Sequence, residues 1–223
     1  KLLKKKFKTV FIKKNYLNQL DEITLLNKKG KVISNNNREK ALALASKKKF
    51  NLAILDDGLQ QKNIEYGVKI ICFNSKEGLG NGWLLPAGPL RENINQLKKY
   101  DIAFINGEKK NSKLLSNLKT INKNLMIFKG KYKPTNLDKF NLNKDYLMFC
   151  GIGNPHEFEK TLTKNKFSIK EKVIFPDHYK ITKEELDKLK RKAKKNKLIL
   201  ITTEKDFYRL EKLEKKNVKF LKV

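Results

Sequence analysis

Short apolar runs alternate with longer polar or amphipathic stretches along most of the chain, and this alternation predicts its elements. Strands are predicted at 9–12, 52–55, 66–74, 100–107 and 124–134. An Ala- and Leu-rich stretch without breakers predicts a helix at 38–50, and a second helix is predicted at 108–118. Strands that alternate with helices are typical of right-handed βαβ units, so the pattern predicts an α/β fold with parallel sheets.

The alternation restarts after a polar stretch at 135–145, which we interpret as a domain junction. A strand, a Gly-rich turn and a helix are predicted over 145–165, and a further strand over 171–179. A charged helix follows, with Thr182 as its N-cap and Glu185 completing a capping box. The sequence therefore predicts two domains, residues 1–141 and a second, smaller α/β domain at 142–223.

Composition limits the class of protein. A chain of 223 residues is long enough to bury a substantial core. No run approaches the roughly 18 apolar residues that a membrane-spanning helix needs. The two cysteines, Cys72 and Cys150, are far apart in apolar runs. They are predicted to be buried thiols in a reducing cytosol rather than a disulfide or a metal site.

The formal net charge of +29 raises the question of nucleic-acid binding. Nearly all of the basic residues are lysines, whereas proteins that read nucleic acids favour the bidentate guanidinium of arginine. We therefore expect no nucleic-acid partner. The lysines are predicted to form a solvated surface with some attraction to anionic lipid head groups.

The stretch ILDDGLQQ (54–61) ends an apolar strand with Asp56 and Asp57. Carboxylates at the carboxyl end of a parallel strand lie where α/β sheets bind ligands, and there they can hold Mg²⁺ against nucleotide phosphates. The alternative is an Asp pair that only begins a turn before Gly58. The pattern has the form of a Walker B segment, but by itself it leaves both interpretations open.

The stretch GLGNGWLLPAGPLREN (78–93) is more specific. Its glycines allow the backbone to approach a ligand closely, and its prolines stiffen the turn. Arg91 and Glu92 then place a bidentate cation next to a carboxylate. The alternative is a rigid structural loop with an ion pair at its surface.

Three later stretches carry further candidate chemistry. CGIGNP (150–155) has the form of an anion site at a helix start, with Asn154 as cap, or of an ordinary strand–helix turn. FPDHY (175–179) offers His178 as a proton carrier oriented by Asp177, or as a surface histidine. TTEKD (202–206) holds polar groups at a strand end, or a helix cap by Thr203.

Taken in order, these stretches resemble the tetraacyldisaccharide 4′-kinase family, the lipid A kinases of Gram-negative bacteria. The matching stretches are LDEITLL (20–26), ILDDGLQQ (54–61), GLGNGWLLPAGPLRE (78–92), DIAFING (101–107), CGIGNP (150–155), FPDHY (175–179) and TTEKD (202–206). The resemblance implies a P-loop-kinase-like parallel sheet with flanking helices. It implies transfer of the γ-phosphate of ATP, with Mg²⁺, to the 4′-hydroxyl of an acylated glucosamine disaccharide 1-phosphate at the cytosolic face of the inner membrane.

The resemblance also implies roles for individual residues. Asp21 matches a general base, and His178 matches the histidine that pairs with this base. The implied nucleotide and metal ligands are Asp56, Asp57, Gln60 and Glu92, with Asp57 and Glu92 on Mg²⁺. The implied phosphate or substrate contacts are Arg91 and Asn81.

The sequence departs from the family at several positions. It has no GxxxxGK[ST] segment, so the resemblance implies a chain that is truncated at its N-terminus and lacks the P-loop and the family's N-terminal anchoring helix. Such a chain is expected to be inactive by itself. Leu20 and Gln61 replace a glycine and a histidine of the family pattern. A relative that binds glycolipid or anionic membrane without phosphoryl transfer is therefore the alternative function.

Overall fold

The structure is a computed structural model that describes residues 6–15, 20–61, 63–210 and 215–223. Residues 20 and 21 are described by their backbone only. The chain forms two compact units, the first comprising 1–58 with 134–223 and the second 59–133.

The strands are β1 (Thr9–Lys14), β2 (Lys31–Asn35), β3 (Leu52–Leu55), β4 (Ile70–Asn74), β5 (Ile102–Asn106), β6 (Met126–Gly130), β7 (Asp145–Cys150), β8 (Ser168–Ile174), β9 (Ile199–Thr203) and β10 (Val218–Leu221). The α-helices are α1 (Leu20–Lys29), α2 (Arg38–Lys47), α3 (Ser112–Ile121), α4 (Pro155–Lys164), α5 (Lys183–Lys195) and α6 (Glu204–Arg209). Two short 3-10 helices are formed by Ile94–Lys99 and Leu137–Lys139.

The first unit contains a three-stranded parallel sheet in the order β2-β1-β3. Val10 and Ile12 of β1 are buried against Ala41 and Ala45 of α2. These alanines lie four residues apart, so they occupy one face of the helix and allow it to approach the sheet closely. Because the strands are parallel, the ends of β1 and β3 open onto the same edge of the sheet.

The first unit also contains a four-stranded parallel sheet in the order β10-β9-β7-β8. Its strand β7 is buried from Tyr146 to Cys150, since one hydrophobic cluster covers each face of the sheet. Tyr146, Met148 and Cys150 belong to one cluster, while Leu147 and Phe149 belong to the other. The alternation places successive side chains on opposite faces, as the pleat of a strand requires.

The second unit contains a parallel sheet in the order β4-β5-β6, with its core on one face. Ala103 and Ile105 of β5 pack there with Leu114 and Leu118 of α3. The prediction of a buried thiol at Cys72 is wrong, because this residue of β4 is exposed. Its position two residues from Ile70, which is also exposed, places both side chains on the face that the core does not cover. The corresponding prediction for Cys150 is confirmed.

The predicted α/β fold with parallel sheets is confirmed, and so is the capping box of α5 at Thr182 and Glu185. The predicted boundary at 141/142 lies within the first compact unit and just before β7; it stays a prediction about domains. The fully apolar β3 lies at the edge of the described sheet, where it pairs only with β1. An apolar run indicates that its side chains favour burial, but it does not specify with how many neighbouring strands the strand pairs.

Candidate functional site

Asp56 and Asp57 follow β3 directly, at the edge of the sheet where parallel strands expose their carboxyl ends. The backbone at Asp57 is left-handed, with φ of 52°. The buried side chain of Arg38, at the start of α2, donates from Nη2 to the carbonyl oxygens of Asp56 (3.0 Å) and Asp57 (2.9 Å). Arg38 therefore fixes the unusual turn that presents the two carboxylates.

A chain of alternating charges runs beside this turn. Lys13 of β1 is buried, and its Nζ lies 2.5 Å from Oδ2 of Asp56 and 2.7 Å from Oε2 of Glu22 on α1. Nζ of Lys205 on α6 lies 3.2 Å from Oε1 of Glu22. These contacts connect both sheets of the first unit through side-chain charges.

Burial and pairing act in opposite directions on the pKa values of this chain. Burial alone lowers the pKa of Lys13, but hydrogen bonds and charge from Asp56 and Glu22 outweigh it and leave the pKa raised. Burial alone raises the pKa of Glu22, but Lys13 and then Lys205 outweigh it and leave the pKa lowered. The pairing therefore favours the charged form of both side chains.

The carboxylates after β3 fit a magnesium nucleotide in type and position. Mg²⁺ favours oxygen ligands and commonly takes one or two protein carboxylates, with phosphate and water oxygens completing its shell. Within the described parts of the chain, no group of three or more His, Cys, Asp or Glu side chains is arranged as a complete metal cage.

His178 lies in the turn after β8, also in the first unit. Its backbone is left-handed, with φ of 60°, and its N–H donates to the carbonyl oxygen of Gly151 at 3.2 Å. The side chain is partly exposed, and its buried Nδ1 has no hydrogen-bond partner among the described residues. Nε2 lies 3.9 Å from Oδ1 of Asp177, which is beyond hydrogen-bond length. Oδ1 of Asp177 instead accepts the backbone N–H of His178 at 2.9 Å. Asp177 therefore holds the backbone of the turn, and no hydrogen bond to the imidazole supports its predicted role of orienting the ring.

The turn that carries His178 is supported from two directions. The rings of Phe175 and Tyr179 are stacked with centroids 5.2 Å apart, and Tyr179 donates to Glu185 of α5 at 2.8 Å. Gly151 is held by the buried Asp206, which accepts its N–H at 3.2 Å. Burial raises the pKa of Asp206, although hydrogen bonding from Thr203 and the charge of Arg209 oppose this.

The two predicted helix starts near this turn are confirmed as caps. Asn154 accepts from the backbone N–H of Glu157 at the start of α4, where Pro155 is the first residue. Thr203 accepts from the N–H of Asp206 in α6. The capping interpretation of both stretches is therefore correct, and an anion site at the start of α4 stays a prediction.

The Gly- and Pro-rich stretch of the second unit folds back on itself around Asn81. Nδ2 of Asn81 donates to the carbonyl oxygen of Ala87 at 2.8 Å, and its Oδ1 accepts the N–H of Trp83 at 3.1 Å. Gly88 is required at this point, since an added Cβ would lie 2.2 Å from Oδ1 of Asn81. Asn81 thus has a structural role in the loop, and its predicted contact with phosphate or substrate stays a prediction.

Arg91 is exposed and Glu92 is partly buried before the 3-10 helix that begins at Ile94. Oε2 of Glu92 accepts the hydroxyl of Tyr100 at 3.0 Å. Burial, strengthened by this hydrogen bond to the carboxylate, raises the pKa of Tyr100 to about 12. Tyr100 therefore remains a proton donor to Glu92 at neutral pH and fixes the orientation of this carboxylate.

The structure brings Asp56 and Asp57 together at one strand end and gives Glu92 and Asn81 defined partners in the second unit. Gln60 is exposed and also belongs to the second unit. The side chain of Asp21 lies outside the described residues, so its pairing with His178 stays a prediction.

Sequence reasoning missed several polar residues of the site. They are Lys13, Glu22, Arg38 and Arg209. Lys13 breaks the in–out alternation of β1, since both Ile12 and Lys13 are buried. In a chain this rich in lysine, no sequence signal distinguishes a buried lysine from the exposed ones.

Comparison with known proteins extends these observations. The family model described as tetraacyldisaccharide-1-P 4′-kinase matches residues 6–223. The chain is 44% identical over 220 residues to the tetraacyldisaccharide 4′-kinase of Pelagibacter ubique, covering 98% of this chain and 70% of that protein. It is 37% identical over 191 residues to the enzyme of the same name from Rickettsia bellii, covering 85% of this chain and 58% of that protein.

A solved structure shares the fold. The crystal structure of LpxK from Aquifex aeolicus in complex with ATP matches 99% of this chain and 75% of its own chain, with a TM-score of 0.69 and 23% identity. The fold and the matched sequences define an α/β protein of the P-loop-kinase-like class. Within that class, the chain belongs to the tetraacyldisaccharide-1-P 4′-kinase family.

Proposed function

We propose that this protein transfers the γ-phosphate of ATP to the 4′-hydroxyl of a tetraacylated glucosamine disaccharide 1-phosphate. The observation that carries this proposal is the acidic pair at the end of β3, set in an edge of a parallel sheet within a chain of this family. Magnesium would neutralise phosphate charge and align the transferred group. The formal net charge of +29 suits a protein that acts at an anionic cytosolic membrane face. None of the helices that the structure describes is long and apolar enough to span a membrane.

The proposed roles follow the chemistry of in-line phosphoryl transfer. Asp21, oriented by His178, accepts the proton of the 4′-hydroxyl as its oxygen bonds to the γ-phosphorus. The bond between the γ-phosphorus and the bridging oxygen breaks, and ADP leaves with the electron pair. Nδ1 of His178 supports this assignment, because this buried ring nitrogen has no hydrogen-bond partner among the residues that the structure describes and is suited to pair with a carboxylate.

The remaining predicted residues would bind and orient the phosphates. Asp57 and Glu92 would supply oxygens to Mg²⁺, with Asp56 and Gln60 on the nucleotide side. Arg91 would contact phosphate through its planar guanidinium, and Asn81 would shape the loop next to it. Tyr100 supports the role of Glu92, since its hydroxyl restricts the rotamers of that carboxylate.

The test is an assay with the protein expressed from its complete reading frame. We expect radiolabelled γ-phosphate to appear on tetraacyldisaccharide 1-phosphate and the gene to rescue a strain depleted of its own 4′-kinase. Asp57→Asn should reduce kcat/KM by about 10²- to 10³-fold, the cost of losing one electrostatic contact in a transfer site. Glu184→Gln, an exposed carboxylate of α5, is the matched control.

The alternative is a relative that binds glycolipid or anionic membrane without transfer. Retention of the disaccharide on the protein without any labelled product, together with failure to rescue the depleted strain, would favour this alternative. Labelled product whose yield is unchanged by Asp57→Asn would instead reject the assignment of the acidic pair.

A further inference from the structure

The short helix α6 presents two pairs of side chains to different neighbours. Lys205 and Tyr208 are three residues apart, and so are Asp206 and Arg209. Residues with this spacing lie on one side of a helix, so each pair forms a face of its own. The two faces contact segments that are far apart in the sequence. One of these segments carries the predicted base, and the other carries the predicted histidine.

The face of Asp206 and Arg209 supports the histidine. Nη1 of Arg209 donates to the carbonyl oxygen of Gly151 at 2.8 Å, and Oδ2 of Asp206 accepts the N–H of Gly151 at 3.2 Å. The same carbonyl oxygen accepts the backbone N–H of His178. Asp206 is buried, so this face of α6 lies inside the first unit. The position of the turn at His178 therefore depends on α6.

The face of Lys205 and Tyr208 contacts α1 near both of its ends. Nζ of Lys205 lies 3.2 Å from Oε1 of Glu22, in the first turn of α1. Nζ of Lys28, in the last turn, lies 3.6 Å from the centroid of the Tyr208 ring. A cation at this distance over an aromatic face is attracted by the ring quadrupole. Because the two contacts are separated along α1, they fix both its position and its direction on α6.

The ring of Tyr208 is itself packed against other aromatic side chains. Its centroid lies 5.7 Å from that of Phe207 on the same helix and 5.8 Å from that of Phe220 in β10. The centroids of Phe207 and Phe220 are 4.4 Å apart. Aromatic rings at such distances stabilise one another beyond the area that they bury. Tyr208 therefore offers α1 a surface that is tied to the four-stranded sheet.

The helix α1 depends on these contacts because burial anchors it little. None of the side chains that the structure describes in α1, at positions 22–29, is fully buried. Each of the other described α-helices has at least one buried side chain. Packing of a buried face supplies most of the stability of helices in proteins. The ion pair and the cation–π contact with α6 therefore contribute more to the position of α1 than they would for a buried helix.

We propose that α6 is a common support that sets the position of Asp21 relative to His178. Lys205 and Tyr208 are the positioning residues of this support, and they act through α1, whose first turn contains the backbone of residue 21. This inference rests on the proposed function and deepens it, because it assigns a role in positioning to residues that the proposed reaction leaves without one.

The first test is kinetic and uses the protein expressed from its complete reading frame. Tyr208→Leu removes the aromatic face and should lower kcat about three- to tenfold, the range that the loss of one cation–π contact allows. The KM for ATP should change less than about twofold, because α1 carries the base and not the nucleotide ligands. Tyr208→Phe keeps the face and should retain the parent kcat. An unchanged kcat in Tyr208→Leu, or an equal loss in Tyr208→Phe, would overturn the role of the ring.

Lys28 provides the reciprocal variant. Lys28→Gln should lower kcat by a similar factor, and its combination with Tyr208→Leu should add little further loss, because both changes remove the same contact. Lys47→Gln, at an exposed position in the last turn of α2, is the matched control and should leave kcat unchanged. Losses that multiply in the double variant would contradict a contact between the two side chains.

The second test follows α1 without catalysis. Hydrogen exchange of the α1 amides should become about tenfold faster in Tyr208→Leu, while the amides of α5 keep the parent rate. Unchanged exchange in α1 would show that α6 does not hold this helix. Faster exchange in every element would show a general loss of stability, and this result would also overturn the proposal.

The proposed function and this inference can fail separately. If the parent protein transfers no phosphate but Tyr208→Leu accelerates exchange in α1 alone, the reaction is rejected and the support of α1 by α6 is retained. If the parent protein transfers phosphate and Tyr208→Leu accelerates exchange in α1 without lowering kcat, the reaction is retained and the positioning role is rejected.

Discussion

Nη1 of Arg209 lies 2.7 Å from Oδ1 of Asp206 and 2.8 Å from the carbonyl oxygen of Gly151. The other carboxylate oxygen of Asp206 accepts the N–H of the same glycine. The ion pair between Asp206 and Arg209 thus binds both the backbone N–H and the carbonyl oxygen of Gly151. Since His178 donates to the same carbonyl oxygen, the pair also supports the turn that carries the predicted catalytic histidine.

Asp206→Ala should therefore be strongly destabilising. It leaves the guanidinium of Arg209 and the N–H of Gly151 without their partner in a buried setting, which typically costs about 3–5 kcal/mol of unfolding free energy. Urea denaturation followed by circular dichroism measures the change. Glu184→Gln, at an exposed position of α5, is the control and should stay within about 0.5 kcal/mol of the parent. A loss below about 1 kcal/mol at Asp206 would show that the pair is not structural.

Glu22→Gln should change how stability depends on pH. The folded-state pKa of Glu22 lies below its ordinary value of 4.5, so the folded protein holds this proton less tightly than the unfolded chain. The ion pairs of Glu22 therefore stabilise the protein above pH 4.5, and this contribution disappears as the pH falls through the lowered pKa. At neutral pH the variant should lose about 1–3 kcal/mol, as expected for hydrogen bonds to charged groups.

The measurement for Glu22 is a series of urea unfolding curves between neutral and acid pH. The difference between parent and Glu22→Gln should shrink as the pH is lowered below 4.5. A difference that stays constant over the whole range would mean that ionisation of Glu22 does not contribute to stability.

Gly88→Ala should disrupt the loop around Asn81. A Cβ at Gly88 would lie 2.4 Å from the carbonyl oxygen of Trp83, and a backbone atom cannot rotate away as a flexible side chain can. We expect a loss of about 1–3 kcal/mol and faster amide exchange in the loop. Gly67→Ala is the control, because an added Cβ there meets nothing within 4 Å. Equal exchange in both variants would show that the loop adapts to the methyl group.

The two thiols should differ in their reaction with a disulfide reagent under native conditions. Cys72 is exposed, whereas Cys150 is buried, and burial followed by the charge of Asp206 raises the pKa of Cys150 to about 12. One thiol per chain should react before unfolding, and Cys72→Ser should abolish this phase. Cys150→Ser is the matched variant and should retain it. Rapid reaction of two thiols in the parent protein would contradict the buried position of Cys150.

Local sequence signals were reliable where neighbouring residues decide the outcome. The capping box of Thr182 with Glu185 and the caps at Asn154 and Thr203 formed as predicted, because each needs only contacts three residues apart. The helix α2 and the strand β3 were also predicted, whereas β2 and β10 were missed. These two strands are short and half-polar. Their formation therefore depends on pairing with strands from other parts of the sequence.

The sequence by itself determined the α/β alternation, the parallel sheets and the family, because these depend on patterns repeated along the whole chain. Only the tertiary structure distinguished Lys13 from the many exposed lysines and Asp56 from Asp57. The physical reason is that burial and charge pairing arise between residues far apart in sequence. Lys13 and Asp56 are separated by 43 positions, and only the pairing of β1 with β3 brings them into contact.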